Sequence, residues 1–142
     1  MPDPDTYTLP RTGDAPLSFQ GQLVVSSSSQ QPPTKRGRSE LETHWHELAL
    51  YVTAAGKHVA AISYRSTWPG ELEDHCARVG TLSNCLRWFR EYDPTGPVRG
   101  FPLPHGPSFA RRHSALLDQV EHGYDAALSQ LLAGLGVTET VD

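Results

Sequence analysis

Cysteine is nearly absent. Cys76 and Cys85 are the two in 142 residues, too few for a disulfide framework, so a reduced pair is expected. No apolar run approaches the roughly 20 residues that a bilayer-crossing helix needs. The first ten residues, MPDPDTYTLP, carry no basic-plus-apolar signal segment. These absences predict a cytoplasmic protein with no membrane partner. An excess of positive charge is also lacking, with 12 Lys plus Arg against 16 Asp plus Glu and a net charge of −4. That removes any global electrostatic case for nucleic acid and leaves only a local one. The chain holds no G-x-S-x-G, no phosphate-cradling glycine loop and no C-x-x-C, so the signatures of the commoner enzyme classes are missing.

What is present is a chain of one-domain length, 37% hydrophobic and 20% charged, with 12 Pro and 12 Gly. Its clearest stretch is THWHELALYVTAAGKHVAAISYRS, from Thr43 to Ser66. His44, His46, Leu48, Leu50 and Val52 alternate with Trp45, Glu47, Ala49, Tyr51 and Thr53, the period of two that a strand requires. The run from His58 is rich in β-branched and aromatic residues, which suit a pleated surface. Gly56, in the left-handed conformation, can close a three-residue loop between them. That loop pairs Thr53 with Lys57, Leu50 with Ala60, Leu48 with Ile62 and His46 with Tyr64. A four-residue loop would shift the register by one.

Residues 1–15, with Pro2, Pro4 and Pro10, predict a flexible N-terminal arm. A single domain over 16–136 and a tail at 137–142 follow. Leu17, Phe19, Leu23 and Val25 mark a strand in which Gly21 signals a bulge or a close approach. Residues 26–40, SSSSQQPPTKRGRSE, hold no apolar side chain and predict a mobile loop. Thr67 to Gly70 reads as a turn, and HCARV, from His75, as a short fourth strand. Thr81 caps a helix over about 82–92, on which Leu82, Cys85, Leu86 and Phe89 form a buried stripe. Residues 93–107 hold five prolines and three glycines, predicting a non-helical Pro-rich loop. A second helix spans about 108–135. The expected fold is α+β: a small antiparallel sheet of three or four strands around the hairpin 44–53/58–66, with two helices packed on one face.

Three places could carry function. His44 and His46, at i and i+2 on a strand, project the same way and suit a divalent metal ion such as Zn²⁺, with Asp74, His75 and Cys76 as candidates for a third ligand and His75 the one taken into the set. No other cofactor is expected. Arg87, Trp88 and Arg90 open an Arg/aromatic region that continues through Arg99, Arg111 and Arg112. From Arg87 to Arg112, five arginines face Glu91 and Asp93, a balance of +3. With Lys35, Arg36 and Arg38 this could contact phosphates and stack bases. Trp45 and Tyr51 lie on the hairpin face opposite the aliphatic row. They either form an aromatic contact surface or are covered by a helix or the N-terminal arm. The sequence therefore predicts a non-catalytic accessory protein that binds a protein partner, or forms part of a larger assembly, through Trp45, Tyr51, Arg87, Trp88 and Arg90. Homo-oligomerisation is one form of this. The alternatives are nucleic-acid binding through the arginines and a metal-dependent enzyme centred on His44 and His46.

Overall fold

Alternation and turn chemistry produce the hairpin in the predicted register. The computed structural model describes residues 5–30, 44–67, 73–99 and 107–136, except for the side chains at 98–99 and 107–113. Five strands form one antiparallel sheet in chain order: β1 (Asp5–Arg11), β2 (Asp14–Ser28), β3 (His44–Thr53), β4 (His58–Ser66) and β5 (Asp74–Gly80). Leu48 pairs with Ile62, Leu50 with Ala60 and His46 with Tyr64. The Thr53 amide donates to the Lys57 carbonyl at 2.7 Å, and Gly56 has φ +87°. Only glycine adopts that backbone without strain.

The sheet has five strands rather than three or four, because residues 5–11, expected as part of an arm, form β1. Tyr7 and Leu9 are half-buried while Thr6 and Thr8 are exposed, an alternation that the neighbouring prolines mask in the sequence. Pro10 falls at the irregularity in pairing between Leu9 and Arg11, where its missing N–H disturbs no regular ladder. Strand β2 also continues to Ser28, into the stretch expected to be loop. Ser29, expected in that loop, is buried with its amide donating to the His46 carbonyl at 2.9 Å; residues 31–40, with Lys35, Arg36 and Arg38, and most of the expected 67–70 turn lie outside the described residues.

Helix α1 (Leu82–Glu91) packs against β4 and β5, and α3 (Pro107–Leu135) against β2 and β3. Between them, α2 (Gly96–Arg99) corrects the expectation of a wholly non-helical 93–107. Pro97 sits in its first turn, where a helix needs no donor from that residue. Cys85 and Phe89 of α1 meet Leu48, Leu50, Ala60 and Ile62 of the sheet and Tyr124, Ala127, Leu128 and Leu131 of α3 in one core. Each large aliphatic buried there contributes about 1.5–3 kcal/mol. The Ser27 hydroxyl donates to the Ala127 carbonyl at 2.7 Å, tying β2 to α3. Thr81 caps α1, its hydroxyl accepting from the Asn84 amide at 3.1 Å. Thr81→Ala should cost about 1 kcal/mol and lower the thermal midpoint by a few degrees.

The second sheet face is enclosed by curling. Strands β1 and β3 are separated by β2, so their backbones stand roughly 9.5 Å apart. Yet the Tyr7 and Tyr51 ring centroids are 4.7 Å apart, and Phe19 lies 5.6 Å from Tyr7 and 5.4 Å from Tyr51. Side chains on separated strands converge in this way only on a concave face. The two ends of the sheet also meet: the Thr12 amide donates to the His75 carbonyl, and the His75 amide to the Thr12 hydroxyl, both at 2.8 Å. Val59 is fully buried although its side chain points away from the Leu48–Ile62 core. No helix among the described residues is long and apolar enough to cross a membrane.

Candidate functional site

Two polar groups occupy opposite faces of the β3–β5 region. On the concave face the register aligns Trp45 with Arg65, and Glu47 with Ser63 and then His75. Glu47 accepts from the Trp45 indole N–H and from Arg65 Nε, both at 3.1 Å. Arg65 Nη1 reaches Glu73 at 3.2 Å. The His75 ring shares a hydrogen bond between Nδ1 and Ser63 Oγ at 2.9 Å, and its Nε2 lies 3.3 Å from Glu73 Oε2, an ion pair when the ring is protonated. Burial works against the Arg65 charge, but Glu47 and Glu73 outweigh it and keep the guanidinium pKa above its ordinary value.

On the helix-facing side His46 is completely buried. Its ring lies 5.2 Å from Tyr64, 5.7 Å from Tyr92 and 5.4 Å from Tyr124, centroid to centroid. Neither ring nitrogen, nor the Tyr92 hydroxyl, has a hydrogen-bond partner among the described residues. Desolvation pushes the His46 pKa down to about 4, so the ring is neutral near pH 7. Burial raises the Tyr92 and Tyr124 pKa values well above the usual phenol range. It also pushes Cys76 up to about 11, with Asp74 adding to the shift. That thiol is protonated and a poor nucleophile. Both cysteines are free.

The predicted sites are only partly assembled. His44 and His46 share a face and are both buried, but His75 belongs to the opposite, concave face. The metal set read from the sequence is therefore not brought together, because the β4–β5 register puts His75 beside Ser63. Among the described residues no three His, Cys, Asp or Glu side chains are grouped to hold a metal ion. Trp45 is 9% exposed, its indole spent on Glu47, so it is not a free contact. Tyr51 is half-buried against Tyr7 and Phe19. The covering by the N-terminal segment is the alternative that holds. Arg87 and Arg90 are exposed on α1, whereas Trp88 is half-buried against the core, 5.7 Å from Phe89. Arg99, Arg111 and Arg112 lie in helices whose side chains at those positions are outside the described residues, as Lys35, Arg36 and Arg38 are entirely.

Sequence reasoning missed Ser63, Glu73 and Thr12. The signal for them is the pairing of β5, which an ambiguous 71–80 stretch does not reveal. It also missed the exposure of Leu23, Val24 and Val79, which are 47%, 44% and 44% accessible. No family model, curated protein or solved structure matches this chain.

Proposed function

We propose that the protein is an accessory protein that binds a protein partner, or joins a larger assembly, at the open end of the curled sheet. One observation carries this reading: among the described residues, the exposed large apolar side chains lie at or beside the two ends of one cross-strand row. Leu23 pairs with Tyr51, Tyr51 with Val59 and Val59 with Val79, one cross-strand row over β2, β3, β4 and β5. The ends of the row, Leu23 and Val79, are exposed, while its floor at Val59 is fully buried. Val24, at the break in pairing between Leu23 and Val25, widens the rim. Scattered exposed aliphatics need no explanation, but an aligned row flanking a buried floor suits an apolar segment of a partner. The reading moves the contact from Trp45, which is buried, to Leu23, Val24, Tyr51 and Val79.

The test is affinity isolation with the full chain, with and without nuclease, followed by measurement with the purified partner. Leu23→Glu with Val79→Glu should weaken that partner at least tenfold, since each apolar side chain buried contributes about 1.5–3 kcal/mol. The thermal midpoint should stay nearly unchanged. Unaltered affinity in the double variant would overturn the proposed surface. A nuclease-sensitive complex weakened by Arg87→Ala and Arg90→Ala, with a smaller salt slope, would favour the nucleic-acid alternative at those two exposed side chains.

A further inference from the structure

The geometry points to a second capacity on the concave face, an acyl-transfer site in which Ser63 is the nucleophile, His75 the base and Glu73 the residue that positions the base. A nucleophile within hydrogen-bond reach of a base, itself oriented by a third group, is the arrangement such chemistry needs whatever the order in the chain. Here Ser63 Oγ stands 2.9 Å from His75 Nδ1, and His75 Nε2 stands 3.3 Å from Glu73 Oε2. With the ring proton on Nε2, the tautomer that the Glu73 carboxylate 3.3 Å away favours, Nδ1 accepts from the Ser63 hydroxyl. His75 is held at the backbone as well, through both of its bonds to Thr12. A base hydrogen-bonded through Nδ1 and through its main chain, with a carboxylate beside Nε2, is organised before any substrate arrives.

The neighbours define the substrate class. Ala61 and Ala77 face each other one row further along the same side of the sheet, with Val59 and Val79 beyond them. Ala61 and Ala77 are the smallest apolar side chains beside the Ser63–His75 pair, and the valines continue that row as an apolar strip, which favours a short acyl group. The substrate is therefore an ester of a short-chain carboxylic acid. Ser63 Oγ adds to the ester carbonyl carbon while its proton passes to His75 Nδ1, and Glu73 stabilises the imidazolium that forms. The adduct collapses with cleavage of the bond to the alcohol oxygen, which takes the proton from His75. Water then attacks the acyl-Ser63 ester, giving its proton to His75, and the acid leaves as the Ser63 hydroxyl is restored. The sum is ester plus water to acid plus alcohol.

The site adjoins the partner surface at Val59 and Val79, but its chemistry rests on Ser63, His75 and Glu73 and its test has its own readout. The full chain is treated with diisopropyl fluorophosphate, the adduct is mapped by peptide mass, and p-nitrophenyl acetate hydrolysis is followed in parallel. One adduct is expected, on Ser63, and Ser63→Ala should abolish it together with the enzyme-dependent hydrolysis. His75→Asn should slow labelling about 100-fold, the size of a general-base contribution. Glu73→Gln should lower kcat about tenfold with KM unchanged, as removal of an orienting group acts on the reacting state. A folded wild-type protein that takes up no adduct at Ser63, or a Ser63→Ala protein that hydrolyses at the wild-type rate, would overturn the proposal. Because labelling is read on the unmodified chain, a variant that fails to fold cannot hide that result.

Discussion

Acidification from pH 7 to pH 4 is expected to remove about 3 kcal/mol of stability through His46 alone. The folded-state pKa is about 4, against 6.5 for the free side chain. Below pH 6.5 the unfolded chain takes up a proton on His46 that the folded chain refuses until about pH 4. Stability is therefore fully present above 6.5, falls through the interval, and levels off below 4. The cause is the enclosure by Tyr64, Tyr92 and Tyr124, which offers rings but no hydrogen bond to either ring nitrogen. Tyr92 and Tyr124 are neutral throughout this range, and the acids that act on this enclosure are Asp74, which pairs with Tyr64 in the same cross-strand row, Asp93 and Asp125. Urea unfolding at pH 7, 5.5 and 4.5 measures the effect, with His46→Leu as the control. The variant loses the His46 contribution to the pH dependence. It should also gain about 1 kcal/mol at pH 7, because two unsatisfied polar atoms leave the core. Parallel curves for the two proteins would show that His46 finds partners when folded.

Gly21→Ala is expected to destabilise the fold by about 3 kcal/mol, at the upper end of what overpacking usually costs. A Cβ at this position would collide with the Val52 carbonyl oxygen and stand 2.9 Å from the Thr53 Cα. Both are backbone atoms of β3, so no side-chain rotation relieves the clash, and β2 must move away from its neighbour. That movement opens the pairs Gly21–Thr53 and Gln22–Val52 and the bond from the Ala54 amide to the Gln20 carbonyl. It also loosens the curl that brings Phe19 against Tyr51. The thermal midpoint should fall by roughly 10 °C. Gly96→Ala, where an added Cβ meets nothing within 4 Å, is the matched control and should leave the midpoint nearly unchanged. Equal behaviour of the two variants would mean that β2 does not approach β3 so closely.

Local signals that decide local structure were readable in the chain. The alternation in β3, Gly56 in its turn, the Thr81 cap and the Leu82–Phe89 stripe each state their element without help from distant residues. Even Gly21 announced a close approach, though not to which strand. The candidate sites were not readable in the same way. His46 and His75 look equivalent as metal-binding residues in a one-dimensional reading, yet β5 pairing sends them to opposite faces. Ser63 carries no motif, and becomes a candidate only because a residue twelve positions later lies directly across from it.

The sequence by itself determined the hairpin, the two main helices and the α+β class, because periodicity and turn chemistry act within a few residues, while the structure chose the three-residue-loop register over the one-residue shift. Only the tertiary structure decided that the sheet has five strands and rolls up, that Trp45 is buried while Tyr51 packs half-buried against Tyr7 and Phe19, and that Leu23 and Val79 flank one row. Those outcomes depend on strand pairing between segments far apart in the chain and on the close approach of β2 to β3 at Gly21, and a one-residue change of register would send every side chain in a strand to the other face.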